Sequence, residues 1–329
     1  MKQSILKCAI VCAAVAAASA MPSPGFSQTR APAQQWWTYK TQPGIYTPPN
    51  KPFWSLAELK KQHAGQADWQ QLIISNPDQQ ATYNSAAPGT KFGQRMNTDT
   101  NTLFVVMAGE MHFMVEGQPP VTATRGSIVN ILHTTIHSWE IAGSDNALWI
   151  EIHPTGTNTV YPADDAQPAP KPGAQIVKVA FTHTPGVYTA PNELHWNFFA
   201  AVAACAPLGV HVNEEHQYAS ALAGYANPND PDAGKCKGPV GPPNPAMTPF
   251  DPKGVFGHLH SGKMEWWIIQ SGHMDGRIEA TGEFHASEGD VMAAPVSTWH
   301  SMIFEGPGLS ERLAITPFPF NNENNTAGE

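Results

Sequence analysis

The sequence predicts an all-β protein of two antiparallel domains in tandem, and three observations carry that expectation. Residues 43–54 read PGIYTPPNKPFW, and residues 185–196 read PGVYTAPNELHW. Seven of the twelve positions are identical, and Ile45/Val187 is a conservative exchange, which points to an internal duplication. Each copy is followed by short apolar segments broken by glycine. In the first half these are TLFVVMAG, MHFMVEG, GSIVNILHTTIHSWEI and NALWIEIHP; in the second, MEWWIIQSG, RIEATG, GDVMAAPVSTWHSMIFEG and ERLAITPFP. Thirdly, 31 prolines and 27 glycines favour short strands and many turns over long helices.

Taken in order, the chain opens on MKQSILKCAIVCAAVAAASA, which reads as an export signal rather than as part of the fold. Lys2 and Lys7 supply a positive start, Cys8 to Ala17 a short apolar core, and Ala18-Ser19-Ala20 a small-x-small cleavage site. The rival reading, a membrane anchor, asks for about 20 apolar residues, and the core is too short. Cleavage after Ala20 would deliver the chain to the periplasm or the outside. Its removal takes two lysines and no acids, so 16 basic residues then face 27 acidic ones. That balance excludes a basic footprint for nucleic acid or anionic lipid. A small molecule is the expected partner, and self-association is left open.

Residues 21–35 read as a flexible segment and residues 36–160 as the first domain. A helix is expected near 56–63, where Ser55-Leu-Ala-Glu58 forms a capping box, and ADWQQLIIS (67–75) reads as its continuation. The Pro/Ala-rich stretch 161–175 is the expected linker, 176–320 the second domain and 321–329 a tail. The second half carries an insertion of about 20 residues by comparison with the first, within 205–243. Cys205 and Cys236 bracket it, the two cysteines that survive cleavage. In an oxidising compartment they predict one disulfide, worth roughly 3–4 kcal/mol. A catalytic thiol is the weaker alternative, since neither lies in a nucleophile context.

Residues 257–272, GHLHSGKMEWWIIQSG, carry the chemistry. On a strand, side chains alternate, so Phe256, His258 and His260 share one face. After a short turn Glu265, Trp267 and Ile269 face the same interior, and a later strand brings His300, Met302 and Phe304. Three imidazoles and a carboxylate converging on an apolar interior would cost several kcal/mol if left unpaired. A divalent transition metal satisfies them, whereas a vestigial site would not need all four. His211 and His216 are weak candidates for a second metal and read better as loop polarity. His112, His273 and His285 read as surface residues.

This pattern resembles the cupin superfamily. His258, His260, Glu265 and Gly272 match the H-x-H-x4-E-x6-G part of its first motif, with Pro252 at the leading glycine's position. Gly289, Pro295 and His300 match its second motif, in which Ser297 replaces a glycine and Phe304 an asparagine. The resemblance implies a bicupin, two small jelly-roll barrels each with a site in its mouth. It implies one metal per chain (Fe, Mn, Cu, Ni or Zn) held by His258, His260, Glu265 and His300. In the first half the same frame places Arg95, Asn97, Thr102 and His137 at the ligand positions. Arginine is permanently protonated and cannot ligate. That barrel is expected to be structural, with an anion pocket on Arg95 and His137 as the alternative.

The resemblance implies two enzyme classes for a His3Glu shell, dioxygenases of phenolic or enolic substrates and oxalate decarboxylases or oxidases. Oxalate asks for a cationic clamp, and near the second motif only Arg277 and Arg312 are available, Arg277 beyond a turn. The lining Phe256, Trp267, Ile269, Met302 and Phe304 therefore favours a small aromatic or enolisable substrate. Glu265 is the expected proton acceptor. A lyase or isomerase, and a non-catalytic metal- or metabolite-binding protein, are the alternatives.

Overall fold

A computed structural model of the chain describes residues 42–162, 182–189, 192–203, 209–213, 217–225, 256–305, 308–317 and 323–326. Outside them lie the export signal, residues 21–35, most of the linker, Cys205, Cys236 and His216; for His211 and Phe256 the backbone alone is described. Contacts divide the chain into Met1–Lys40 and Thr41–Glu329, and the second unit holds everything below. Among the described residues no helix is long and apolar enough to cross a membrane.

The first half runs β1 (Phe53–Trp54), α1 (Leu56–Gln62), β2 (Trp69–Ser75), β3 (Gln79–Ala86), β4 (Lys91–Asn97), β5 (Thr102–Ala108), β6 (Glu110–Val115), β7 (Val121–Thr124), β8 (Ser127–Ile131), β9 (His137–Ala142), β10 (Ala147–Pro154) and β11 (Thr159–Val160). The second runs β12 (His195–Asn197), α2 (Phe198–Ala203), β13 (Gly209–Asn213), β14 (Gln217–Tyr225), β15 (Phe256–Leu259), β16 (Glu265–Ser271), β17 (His273–Ile278), β18 (Gly282–Ser287), β19 (Val291–Ala294), β20 (His300–Glu305), β21 (Leu309–Pro317) and β22 (Glu323–Thr326).

The sheets repeat in the same order. One barrel joins β12-β8-β5-β10-β3-β2 to β11-β4-β9-β6-β7, and the other joins β1-β19-β16-β21-β14-β13 to β22-β15-β20-β17-β18. Every described pairing is antiparallel, and each strand of one barrel has its counterpart in the other. The architecture is two jelly-roll barrels made by duplication.

The end strands are exchanged. Phe53 and Trp54 pair with Met292 and Val291 of the second barrel, while His195 and Trp196 pair with Val129 and Ile128 of the first. The duplicated PG-x-YT segments thus serve as arms, each reaching the opposite barrel. Gly44 N donates to Thr298 Oγ1 at 2.9 Å, and Gly186 N donates to Thr135 Oγ1 at 2.9 Å. A Cβ on Gly44 would lie 2.5 Å from Val296 O, and one on Gly186 2.5 Å from Leu132 Cβ, which accounts for glycine at both. Tyr46 donates to Ala293 O at 2.6 Å, while Tyr188 accepts from Leu132 N at 3.2 Å. A division of the sequence at 161–175 therefore separates the barrels except for these arms.

Among the described residues apolar side chains form three cores, and strand parity explains them. Trp267 and Ile269 of β16 point into the second barrel, while Trp266 and Ile268 point out. The outward set meets Leu103 and Val105 of β5 in a core between the two sheets. Strands buried on both faces read as continuous apolar runs, which is why EWWII and TLFVVM lack alternation.

Two sequence expectations need correction. Residues 69–75 form β2, not a continuation of α1, which spans Leu56–Gln62 with Ser55 Oγ accepting from Glu58 N at 3.4 Å. The β-branched pair Ile73-Ile74 is fully buried, and β2 pairs with β3, so sheet packing overrides the polar glutamines. The insertion also lies later than its bracketing cysteines suggest. Residues 209–213 and 217–225 are β13 and β14, the counterparts of β2 and β3, so the extra length falls between β14 and β15.

Candidate metal centre

The fold brings His258, His260, Glu265 and His300 together in the mouth of the second barrel. His258 lies on β15 and His260 directly follows that strand's end, β16 opens on the glutamate, and β20 opens on the last, with His258 directly opposite His300. A Cβ on Gly257 would lie 2.4 Å from the Trp299 ring, so only glycine lets β15 lie flat against that indole. Ser297, at the motif's glycine position, has φ +59 and donates its N–H to His260 O at 2.7 Å. Thr134 repeats this in the first barrel, with φ +57 and its N–H on Asn97 O at 2.7 Å.

The donor atoms of the four residues all lie within 4.8 Å of one another. Glu265 Oε2 is 2.7 Å from His260 Nε2, 3.0 Å from His300 Nε2 and 3.4 Å from His258 Nε2. Burial alone would push the Glu265 carboxyl up, but hydrogen bonds from the His258 and His260 imidazoles help to hold it well below the usual range. Burial pushes His300 down to about 4, so the ring is neutral near pH 7.

The donor set fits a metal for a reason visible at His300. Its Nδ1 lies 2.9 Å from Thr298 O, and a carbonyl can only accept, so the proton sits on Nδ1. Nε2 then presents a bare lone pair to a carboxylate oxygen 3.0 Å away. Two lone pairs at that distance repel unless a cation lies between them. The carbonyl also fixes the tautomer in which Nε2 ligates.

Trp267, Ile269 and Met302 line the barrel behind the cluster with Met274, Ile278 and Met292, and Phe304 packs against them. The Trp267 ring is 4.9 Å from that of His300. Gly276, which sequence reasoning did not single out, leaves room there: a Cβ would lie 2.5 Å from Met292 Sδ. Arg277 is engaged with Glu283 at 2.7 Å. Asp275, His285 and Glu305, from three strands, form a more exposed grouping in which Asp275 bonds His285 and raises its pKa.

The first barrel keeps the register and changes the chemistry. Arg95 lies opposite His137, as His258 lies opposite His300. Asn97 Nδ2 donates to Thr102 Oγ1 at 2.6 Å where the second barrel has His260 and Glu265. The Arg95 guanidinium carbon lies 4.5 Å from the centre of the Trp139 ring and 5.5 Å from that of Tyr161. His137 Nδ1 lies 3.0 Å from Thr135 O, matching His300. Burial, with the Arg95 charge also acting, lowers His137 to about 4.

A pH dependence follows. Between about pH 6.5 and 4 the unfolded chain protonates His137 and the folded chain does not, so stability falls as pH falls through that window. The loss is at most about 3 kcal/mol for this residue, and His300 acts in the same direction in metal-free protein. In denaturant melts wild type should lose up to about 3 kcal/mol relative to His137→Phe as pH falls from 6.5 to 4. Parallel curves would contradict the assignment.

No family model matches the chain, and no curated protein matches it. Among solved structures, the chain is similar to salicylate 1,2-dioxygenase from Pseudoaminobacter salicylatoxidans, at 12% identity over 84% of this chain and 85% of that one, with a TM-score of 0.48. Oxalate decarboxylase from Bacillus subtilis matches at 11% identity over 76% and 72%, with a TM-score of 0.45. A cupin 2 conserved barrel domain protein from Leptotrichia buccalis matches at 12% identity over 75% and 88%, with a TM-score of 0.43. At these identities the likeness concerns the fold alone. Its own sheet order, its duplicated strands and the spacing of its four ligands give this chain the fold of a two-barrel cupin, with a His3Glu cluster in the second barrel.

Proposed function

We propose that the chain is an exported, metal-dependent oxidoreductase, a dioxygenase acting on a small aromatic or enolisable substrate in the second barrel. The observation that carries this reading is the neutral His300 lone pair held against the Glu265 carboxylate beside the Trp267 indole. A divalent transition metal bound there supplies Lewis acidity toward a substrate hydroxyl. His258, His260 and His300 would hold it through their imidazoles. Glu265 Oε2 is the atom on which the imidazoles converge, which leaves Oε1 to accept the hydroxyl proton. Trp267 and Met302 exclude water and offer an apolar surface to a planar substrate.

Oxygen-electrode assays of the natively purified protein with phenols, catechols and 1,3-diketones test the reading. Oxygen uptake that needs one of these compounds is the expected result. Consumption of oxalate with every phenol and diketone inert would overturn the substrate class. Binding without consumption of either would leave a non-catalytic protein.

A further inference from the structure

The duplicated frames differ on one outer face, and the difference opens a cavity. In the second barrel the Trp299 indole lies on Gly257, close enough that a Cβ there would be 2.4 Å from the ring. Glu279 holds the Trp299 backbone twice: its Oε2 accepts from Trp299 N at 3.2 Å, and its N–H donates to Trp299 O at 2.9 Å. Ile136 is held in the same way in the first barrel, with Glu116 Oε2 accepting from Ile136 N at 3.2 Å and Glu116 N donating to Ile136 O at 2.9 Å. Gln94, the residue before Arg95, takes the place of Gly257, the residue before His258. The first barrel thus keeps the frame and lacks the indole.

What the indole covers in one barrel is open in the other. A cavity of about 330 Å³ is lined by Gln94, Met114, Glu116, Ile136 and Ser138. Gln94, Met114 and Ser138 also line a neighbouring groove of about 670 Å³, which continues to Phe92 and Val121. Volumes of this order suit a small ligand. Phe92 stacks on Trp139 at 4.8 Å, so the groove has an aromatic wall. Met114 lies opposite Ser138 as Arg277 lies opposite Ser301, yet Arg277 is paired with Glu283 at 2.7 Å and Met114 is 55% exposed. The fold therefore does not require this hollow, since its own duplicate closes it.

The cavity also has a sign. Among its lining side chains Glu116 alone carries a charge near pH 7, because burial keeps His137 neutral there. Glu116 Oε2 takes a further hydrogen bond from His183 Nε2 at 2.8 Å, which a neutral imidazole can donate. A ligand carboxylate would meet a like charge.

We propose that the outer face of the first barrel binds a flat aromatic molecule of one or two fused rings, neutral or cationic, in the place that Trp299 fills in the second. The inference does not depend on the metal or on the oxygen chemistry.

Calorimetric titration with indole, tryptamine and indole-3-acetate tests this. Indole and tryptamine should bind with dissociation constants of roughly 0.1–1 mM, and indole-3-acetate about tenfold more weakly than tryptamine. Chelator-stripped protein should bind them as the metal-loaded protein does. The double variant Gln94→Gly/Ile136→Trp copies the second barrel, so its own indole should fill the cavity and abolish binding while metal content stays unchanged. Should that variant fail to fold, Met114→Arg, at an exposed position, copies Arg277 and should weaken tryptamine about tenfold. Glu116→Gln should erase the preference for tryptamine over indole-3-acetate and leave indole affinity unchanged. The proposal is overturned if neither indole nor tryptamine binds wild type below about 10 mM, or if binding disappears with the metal. Wild-type affinity in the folded double variant, or in Met114→Arg, would also overturn it. Equal affinity of wild type for tryptamine and indole-3-acetate would refute the assigned charge.

Discussion

Alanine at His300 is expected to weaken metal binding at least a hundredfold and to abolish turnover with it. Residues that merely orient a ligand already cost about ten- to a hundredfold when changed, and His300 is itself a candidate ligand. Its orientation is also fixed, through Nδ1 on Thr298 O. Glu265→Gln keeps the shape and removes the negative charge, so it should lose metal nearly as completely. Metal analysis and activity measured on the same dialysed samples check this. A variant that loses its metal and keeps full turnover would remove the metal from the mechanism.

Trp54→Ala is expected to cost about 3–5 kcal/mol of stability, the range for deleting a buried tryptophan. Trp54 comes from the first-half arm, lies on the second barrel's β19 and packs into the core between the barrels. Its indole N–H donates to Ile73 O of the first barrel at 3.0 Å, so one side chain ties both barrels together. The matching Trp196 packs less deeply at the edge of the same core, and Trp196→Ala should cost less. Urea melts of the two variants would show the difference. An equal or reversed order would mean that the two arms do not bind as described.

Much of this architecture was legible in the sequence because duplication and strand alternation are local signals. The grouping of His258, His260, Glu265 and His300 was legible for the same reason: H-x-H places two imidazoles on one face whatever surrounds them, and β16 opens on Glu265 as the alternation predicts. The exchange of arms was not legible. PGIYTPPN and PGVYTAPN announce a repeat, but nothing within them says which barrel they join, since β1 meets β19 only across most of the chain. Residues 67–75 misled because Gln70 and Gln71 break the alternation of a strand whose buried residues, Trp69, Ile73 and Ile74, are unevenly spaced around a register shift between Leu72 and Ile74.

Duplication left two frames of matching strand order, and metal is expected in the second alone. Arg95 puts a fixed positive charge where the first imidazole would stand, and Asn97 and Thr102 bond each other where His260 and Glu265 converge. His137 keeps the geometry of His300 and lacks the company. The measurement that tests this most directly is metal content per chain in wild type, His137→Ala and His300→Ala purified side by side. The account predicts about one equivalent in the first two and none in the third. Two equivalents in wild type, with one lost on changing His137, would contradict it.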